Sequence, residues 1–176
     1  MTKDRTPFDE AVVISIERLM RFCYLAQILL EQEDPRQSGL PLELTRWGTL
    51  LFLTGSFLYS LFEDSDNALN LVRVWSGFPH PFGEELQSIA TQLEPLKDNL
   101  RHVRNRYGFH GSLSRTREAK GLSIFEEPQA QALRAVIGRM LLLAGKMIPW
   151  HMAQLGRHEL IPAFNAQLFG AGEHAP

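Results

Sequence analysis

The 176-residue chain predicts an all-α protein, a bundle of four to five antiparallel helices forming one domain over residues 1–176. Apolar residues recur at three- and four-residue steps along most of the chain, the period of one face of a helix. No segment alternates with the period of two that a half-buried strand requires. Breaks rich in Pro, Gly and Asp separate the helical segments.

Thr6-Pro7 reads as the first helix start, with a capping hydroxyl, Pro at the first helical position and Asp9 in the first turn. Val12, Ile16, Leu19, Cys23, Ala26 and Leu30 then form an apolar stripe, which Asp34-Pro35 and Ser38-Gly39 end. A second helix is expected over 41–62, apolar nearly all round and therefore central. Glu63-Asp64-Ser65-Asp66 reads as a polar turn, with Asp66 capping a short helix through Trp75. After Gly77, Pro79, Pro81 and Gly83 the helical pattern resumes over 84–107, with Pro95 either kinking it or starting a new segment. His110 to Gly121 reads as a polar loop. The last long helix starts near Pro128, runs through Leu133, Val136, Ile137, Met140, Leu141 and Ala144, and bends at Pro149. Residues 161–176 read as a peripheral C-terminal tail.

An apolar content of 44% and a charged content of 22% are ordinary for a soluble globular protein long enough to bury a sizeable core. Cys23 is alone and lies in the first apolar stripe, which points to a buried structural thiol rather than a nucleophile. Met1–Pro7 is charged and the adjoining segment is amphipathic, unlike a cleavable signal peptide, so a cytoplasmic protein is expected. Trp47–Phe62 carries no charge, but its sixteen residues fall short of the ~20 that span a bilayer. Gly48, Thr49, Thr54, Gly55, Ser56 and Ser60 dilute it further, so a core or subunit-interface helix is the better reading and no membrane is expected.

Net charge is −2, which by itself says nothing for nucleic acid. Its distribution says more: seven Lys or Arg between Lys97 and Lys120 stand against Asp98 and Glu118 alone. A solvated charged face explains many such clusters. Here the cluster surrounds RNRYGFH, with Arg104, then polar Asn105, then His110. A guanidinium holds a phosphate through two parallel charge-assisted hydrogen bonds. An imidazole titrates near neutral pH and can move a ribose 2′-hydroxyl proton. A second Arg/His pair at similar spacing, Arg73 and His80, has Val74 after the Arg and lacks the polar residue. Arg104 and His110 fall on different faces of an unbroken helix, because six residues turn it by ~600°. They converge if the helix ends between them, and Gly108 offers that end. Arg106 and His110 are i, i+4 and would share a face if the helix continued. Arg104 is favoured because Asn105 follows it; Arg106 stays open as partner or auxiliary contact.

The Arg104-Asn105…His110 stretch resembles the Arg-x4–6-His motif of the HEPN superfamily, small all-helical domains of roughly this size, many of them metal-independent ribonucleases. The resemblance implies that Arg104 and His110 are catalytic, that Asn105 orients or binds, and that no cofactor and no metal is used. It also implies a homodimer, since the family's site is commonly composite between two copies. Arg101, Arg106, Arg115, Arg117 and Lys120 are the candidate RNA contacts. The implied reaction is endoribonucleolytic transesterification by the RNA's own 2′-oxygen. His110, with its pKa depressed by neighbouring cations, would move the proton, and Arg104 would stabilise the phosphate charge. A toxin–antitoxin or phage-defence setting, with a protein antitoxin or regulator as partner, would suit such an enzyme. Where some members carry a Tyr that a partner nucleotidyltransferase modifies, two residues after the His, this chain has Ser112.

Three other classes compete, a DNA-binding module the least of them, since no short helix–turn–helix with a basic second helix is evident. Di-iron bundles need Glu-x-x-His pairs on facing helices, and the chain has none. No Ser/His/Asp signature, phosphate-cradling Gly-rich loop or zinc spacing is present. The non-enzymatic rival is a helical interaction or adaptor module, an inactive HEPN relative included, with Arg104 and His110 serving only as helix C-terminal cations.

Overall fold

Val12, Ile16, Leu19, Cys23 and Ala26 all face inward from the first helix, α1 (Glu10–Glu31), as their spacing requires. A computed structural model describes residues 5–32, 41–107 and 126–170. The regular elements after α1 are α2 (Pro41–Leu61), α3 (Leu71–Trp75), α4 (Gly83–Tyr107), α5 (Gln129–Gln154) and α6 (Ile161–Phe169), with a 3-10 turn at His158–Leu160. No strand occurs among the described residues, and a single bridge between Phe62 and Asn70 closes the loop between α2 and α3. The protein is an all-helical bundle.

α1 packs on α2 and α5, and α4 on α2 and α5. The α1–α2 pair is antiparallel, since the Thr54 hydroxyl reaches the Leu25 carbonyl while Arg18 lies beside Glu63. The α4–α5 pair is antiparallel too, tied by Glu85–Lys146 near one end and Asn99–Gln129 near the other. Gly55 on α2 is where three helices meet: a Cβ there would stand 3.0 Å from side chains of both Leu100 and Leu133.

Among the described residues, Trp75, Phe22 and Phe62 are the largest fully buried side chains. The buried Trp75 indole donates to Ser15 Oγ at 2.9 Å, and that hydroxyl donates to the Val12 carbonyl at 2.6 Å. Both buried side-chain donors are thereby satisfied, as burial demands. Phe78, His80, Phe82 and Trp150 surround Trp75 with ring centroids 5.3 to 5.9 Å from it. Cys23 is buried among apolar groups that push its thiol up to about 12, so it packs as a hydrophobe.

Several boundaries differ from those the sequence predicts. α1 begins at Glu10, because the Thr6 hydroxyl bonds the Asp9 carboxylate and the Phe8 N–H in a turn instead of capping a helix. α3 is shorter than expected and is capped by Asn70 rather than Asp66: the Asn70 side chain accepts from the Arg73 N–H at 3.1 Å. α4 runs unbroken through Pro95, and α5 continues through Pro149 to Gln154. The expected C-terminal tail contains a nine-residue helix, α6, whose Leu168 is buried and whose Leu168 and Phe169 press on Gly145. Gln27 of α1 fastens it, donating to the carbonyls of Gln167 and Leu168.

Candidate functional site

α4 brings three basic side chains, Lys97, Arg101 and Arg104, to its C-terminal half. The loop after α2 brings two consecutive carboxylates, Glu63 and Asp64. Arg104 meets Glu63 in a two-pronged pair, Nη1 to Oε2 at 2.8 Å and Nη2 to Oε1 at 3.2 Å. Tyr59, one turn earlier on α2, places its ring 5.0 Å below the guanidinium carbon. Planar guanidinium on an aromatic face and a carboxylate at its edge is a geometry that Lys cannot reproduce.

The charges respond accordingly. The hydrogen bond from Arg104 lowers the Glu63 carboxyl below its ordinary range, against burial, which opposes ionisation. The same bond raises Arg104 above its ordinary value. Burial and the Glu63 charge raise the Tyr59 phenol, while Arg104, Arg101 and Lys97 pull it back. Burial opposes the charge on Lys97, yet bonds to Asp64 at 2.7 Å and Glu94 at 2.9 Å more than offset it and raise its pKa. Arg101 is exposed and pairs with Asp98 one turn back on α4.

Of the residues singled out in the sequence, Arg104 and Arg101 are thus defined in position and partners. Asn105 and Arg106 belong to the last turn of α4, and their side chains lie outside the described residues, as do Gly108, His110, Arg115, Arg117 and Lys120. The second Arg/His pair is committed elsewhere. Arg73 donates to the carbonyls of Ser65 and Ala68 and so braces the loop before α3. His80 Nδ1 accepts from the Phe82 N–H at 3.0 Å inside the aromatic cluster.

Glu63, Tyr59 and Lys97 join the site without having been singled out. Glu63 reads in the sequence as one acid of a polar turn, and its partner is 41 residues away. The available signal was the seven-residue interval from Lys97 to Arg104, which puts those two cations on one helix face; nothing in the sequence pairs them with Glu63 and Asp64.

A cavity of about 580 Å³ lies between α3 and α4, floored by Phe62 and edged by Lys97 and Asp64 at the end nearer Arg104. No group of three or more His, Cys, Asp or Glu side chains is gathered as a metal site among the described residues. No helix among the described residues is long and apolar enough to cross a membrane. The chain matches no protein-family model, no curated protein and no solved structure.

Proposed function

We propose that the protein is a metal-independent endoribonuclease of the HEPN type, acting on RNA with Arg104, Asn105 and His110. The observation that carries this reading is the built setting of Arg104. It is the arginine of the Arg-Asn…His stretch, partly buried at the end of α4 and held by Glu63 and Tyr59 in a fixed plane. Tyr59 lies beneath the guanidinium and keeps it oriented when a phosphate replaces Glu63, so Arg104 stabilises charge that grows there during reaction.

In the reaction, His110 takes the proton from a ribose 2′-hydroxyl, and the 2′-oxygen attacks the adjacent phosphorus. The bond to the 5′-oxygen breaks, and that oxygen leaves with the proton that His110 gives back. The products are a 2′,3′-cyclic phosphate and a 5′-hydroxyl. Arg104 holds the non-bridging oxygens, Asn105 orients the phosphate, and the basic residues Arg101, Arg106, Arg115, Arg117 and Lys120 hold the flanking strand. A homodimer would complete the site. Cleavage of RNA in EDTA that is lost in His110→Ala tests the reading.

One observation favours a non-catalytic module instead. Both terminal nitrogens of Arg104 are already taken by Glu63, as in an ion pair that only joins α4 to the loop after α2. Under that reading Arg104→Ala loosens the fold and no RNA is cleaved.

A further inference from the structure

We propose that the groove between α3 and α4 seats the base of a nucleotide neighbouring the scissile phosphate in single-stranded RNA, with Lys97 holding that nucleotide's phosphate; this rests on the ribonuclease reading above. Glu63 and Asp64 are consecutive, and each sits on one cation of α4, Arg104 and Lys97. Those cations lie seven residues apart, on one helix face and ~10 Å apart along its axis. Two successive acids of the chain therefore occupy two anion positions beside the groove.

The Lys97–Asp64 pair is lopsided in a way that suits exchange. The Lys97 side chain is 14% exposed and Asp64 is 71% exposed. The cation is fixed in the wall, where Glu94 also holds it at 2.9 Å, while both carboxylates stand in water, 71% and 67% exposed, where solvent and salt screen such pairs and leave them weak. A phosphate can replace Asp64 without uncovering Lys97. Beyond Lys97 the groove changes character. Its volume of about 580 Å³ falls within the usual range of small-ligand sites, ~300–1,000 Å³. Arg73 and Lys97 balance Asp64 and Glu94 around it, so a neutral base suits it better than a further run of phosphates. Phe62 and Ala90 supply an apolar floor, and Ser76, Gln87 and Thr91 supply a polar rim. The Ser76 and Thr91 hydroxyls donate to the Arg73 and Gln87 carbonyls and retain lone pairs that can accept from a base edge. Unstacked bases of single-stranded RNA are read by such side chains.

The test uses the full chain carrying His110→Ala, to prevent turnover, and short labelled oligoadenylate, oligocytidylate and oligouridylate in EDTA. Fluorescence anisotropy should show one homopolymer bound ~3- to 10-fold more tightly than the others, the worth of one or two hydrogen bonds. Ser76→Leu with Thr91→Leu fills the mouth from two exposed positions, so the fold is retained, and it should abolish the preference. Lys97→Gln should weaken all three alike. A preference that survives the double substitution overturns the groove assignment, while the ribonuclease reading stands or falls separately on cleavage by the unsubstituted protein. Preference lost in the filled groove, with no cleavage by the unsubstituted protein, supports the groove and removes the nuclease. Absence of RNA binding overturns both.

Discussion

The Arg104 guanidinium and the Glu63 carboxylate meet prong to prong, at 2.8 and 3.2 Å, and join the end of α4 to the loop after α2. Any phosphate that Arg104 binds through the same two nitrogens must first displace Glu63. The pair therefore has two measurable consequences, one for stability and one for binding.

Replacing Glu63 by Gln removes the charge and keeps the shape. Partly exposed pairs of this kind contribute ~1 kcal/mol, so thermal unfolding should drop by about 2–4 °C for a chain of this size. RNA binding should tighten several-fold, because the internal competitor has gone. Glu63 has a folded-state pKa below its unfolded one, so its contribution is complete above the ordinary carboxylate pKa and fades as pH falls through the folded value. Acid titration of stability should therefore be flatter in Glu63→Gln. Unchanged RNA affinity would mean that Arg104 never exchanges Glu63 for phosphate.

His80 gives a pH dependence of opposite chemistry. Burial lowers its pKa, and a hydrogen bond to the Trp75 carbonyl only partly restores it. Nδ1 is held as an acceptor by the Phe82 N–H, so protonation sets two donors against each other. The unfolded chain binds the proton more readily, and stability must fall as pH drops from about 6.5 toward the lower folded value. Denaturant midpoints measured at pH 7.5 and 5.5 should show this fall, and His80→Phe, less stable at pH 7.5, should show less of it.

The docking of α6 depends on a close approach at Gly145, where a Cβ would stand 2.6 Å from the Phe169 ring. Gly145→Leu should push α6 off α5 while α1, α2, α4 and α5 stay folded. Limited proteolysis reads this directly: early cleavage near 160–170 is expected in the variant. Equal resistance in both proteins would show that α6 shifts to accommodate the side chain.

The fold was more legible than the site because its signals are local. Val12, Ile16 and Leu19 announce a buried face within three turns, and Gly77 to Gly83 announces a break wherever it occurs. Capping was less legible: Asp66 and Asn70 both suit an N-cap, and only the bridge between Phe62 and Asn70 selects Asn70. The α6 segment is short and apolar, and nothing local says that Gly145 leaves room for Phe169. Arg104 could be picked out by its neighbours, Asn105 and His110. Glu63 could not, because pairing across 41 residues is a property of the packed bundle.

Apolar side chains left outside the core bear on assembly. Leu42 and Leu53 on α2 are 84% and 42% exposed, and Tyr24 on α1 is 66% exposed. A homodimer burying more than ~1,000 Å² in total is expected. Light scattering at micromolar concentration should give twice the chain mass, and Leu53→Glu with Tyr24→Glu should reduce it to one. A monomeric unsubstituted protein at low and moderate salt would remove the composite site from the proposal.

Catalysis provides the sharpest separation between the two functional readings. His110→Ala removes the proposed proton carrier, a change worth ~10²–10⁴-fold in rate. Arg104→Ala should cost at least as much, and it also strands Glu63, so its folding must be checked by circular dichroism. Arg115→Glu with Arg117→Glu should weaken RNA binding and flatten its salt dependence, since fewer counterions are released on contact. His80→Ala is the control: its ring lies inside the aromatic cluster, away from the groove and from Arg104, so stability should fall while cleavage by the folded fraction persists. The assay is cleavage of a structured RNA in EDTA, with the ends of the products identified. A cyclic phosphate made by the unsubstituted protein and lost in His110→Ala supports the ribonuclease. Equal cleavage by both, or none on any RNA tried, leaves Arg104 and Glu63 as the strut of an interaction module.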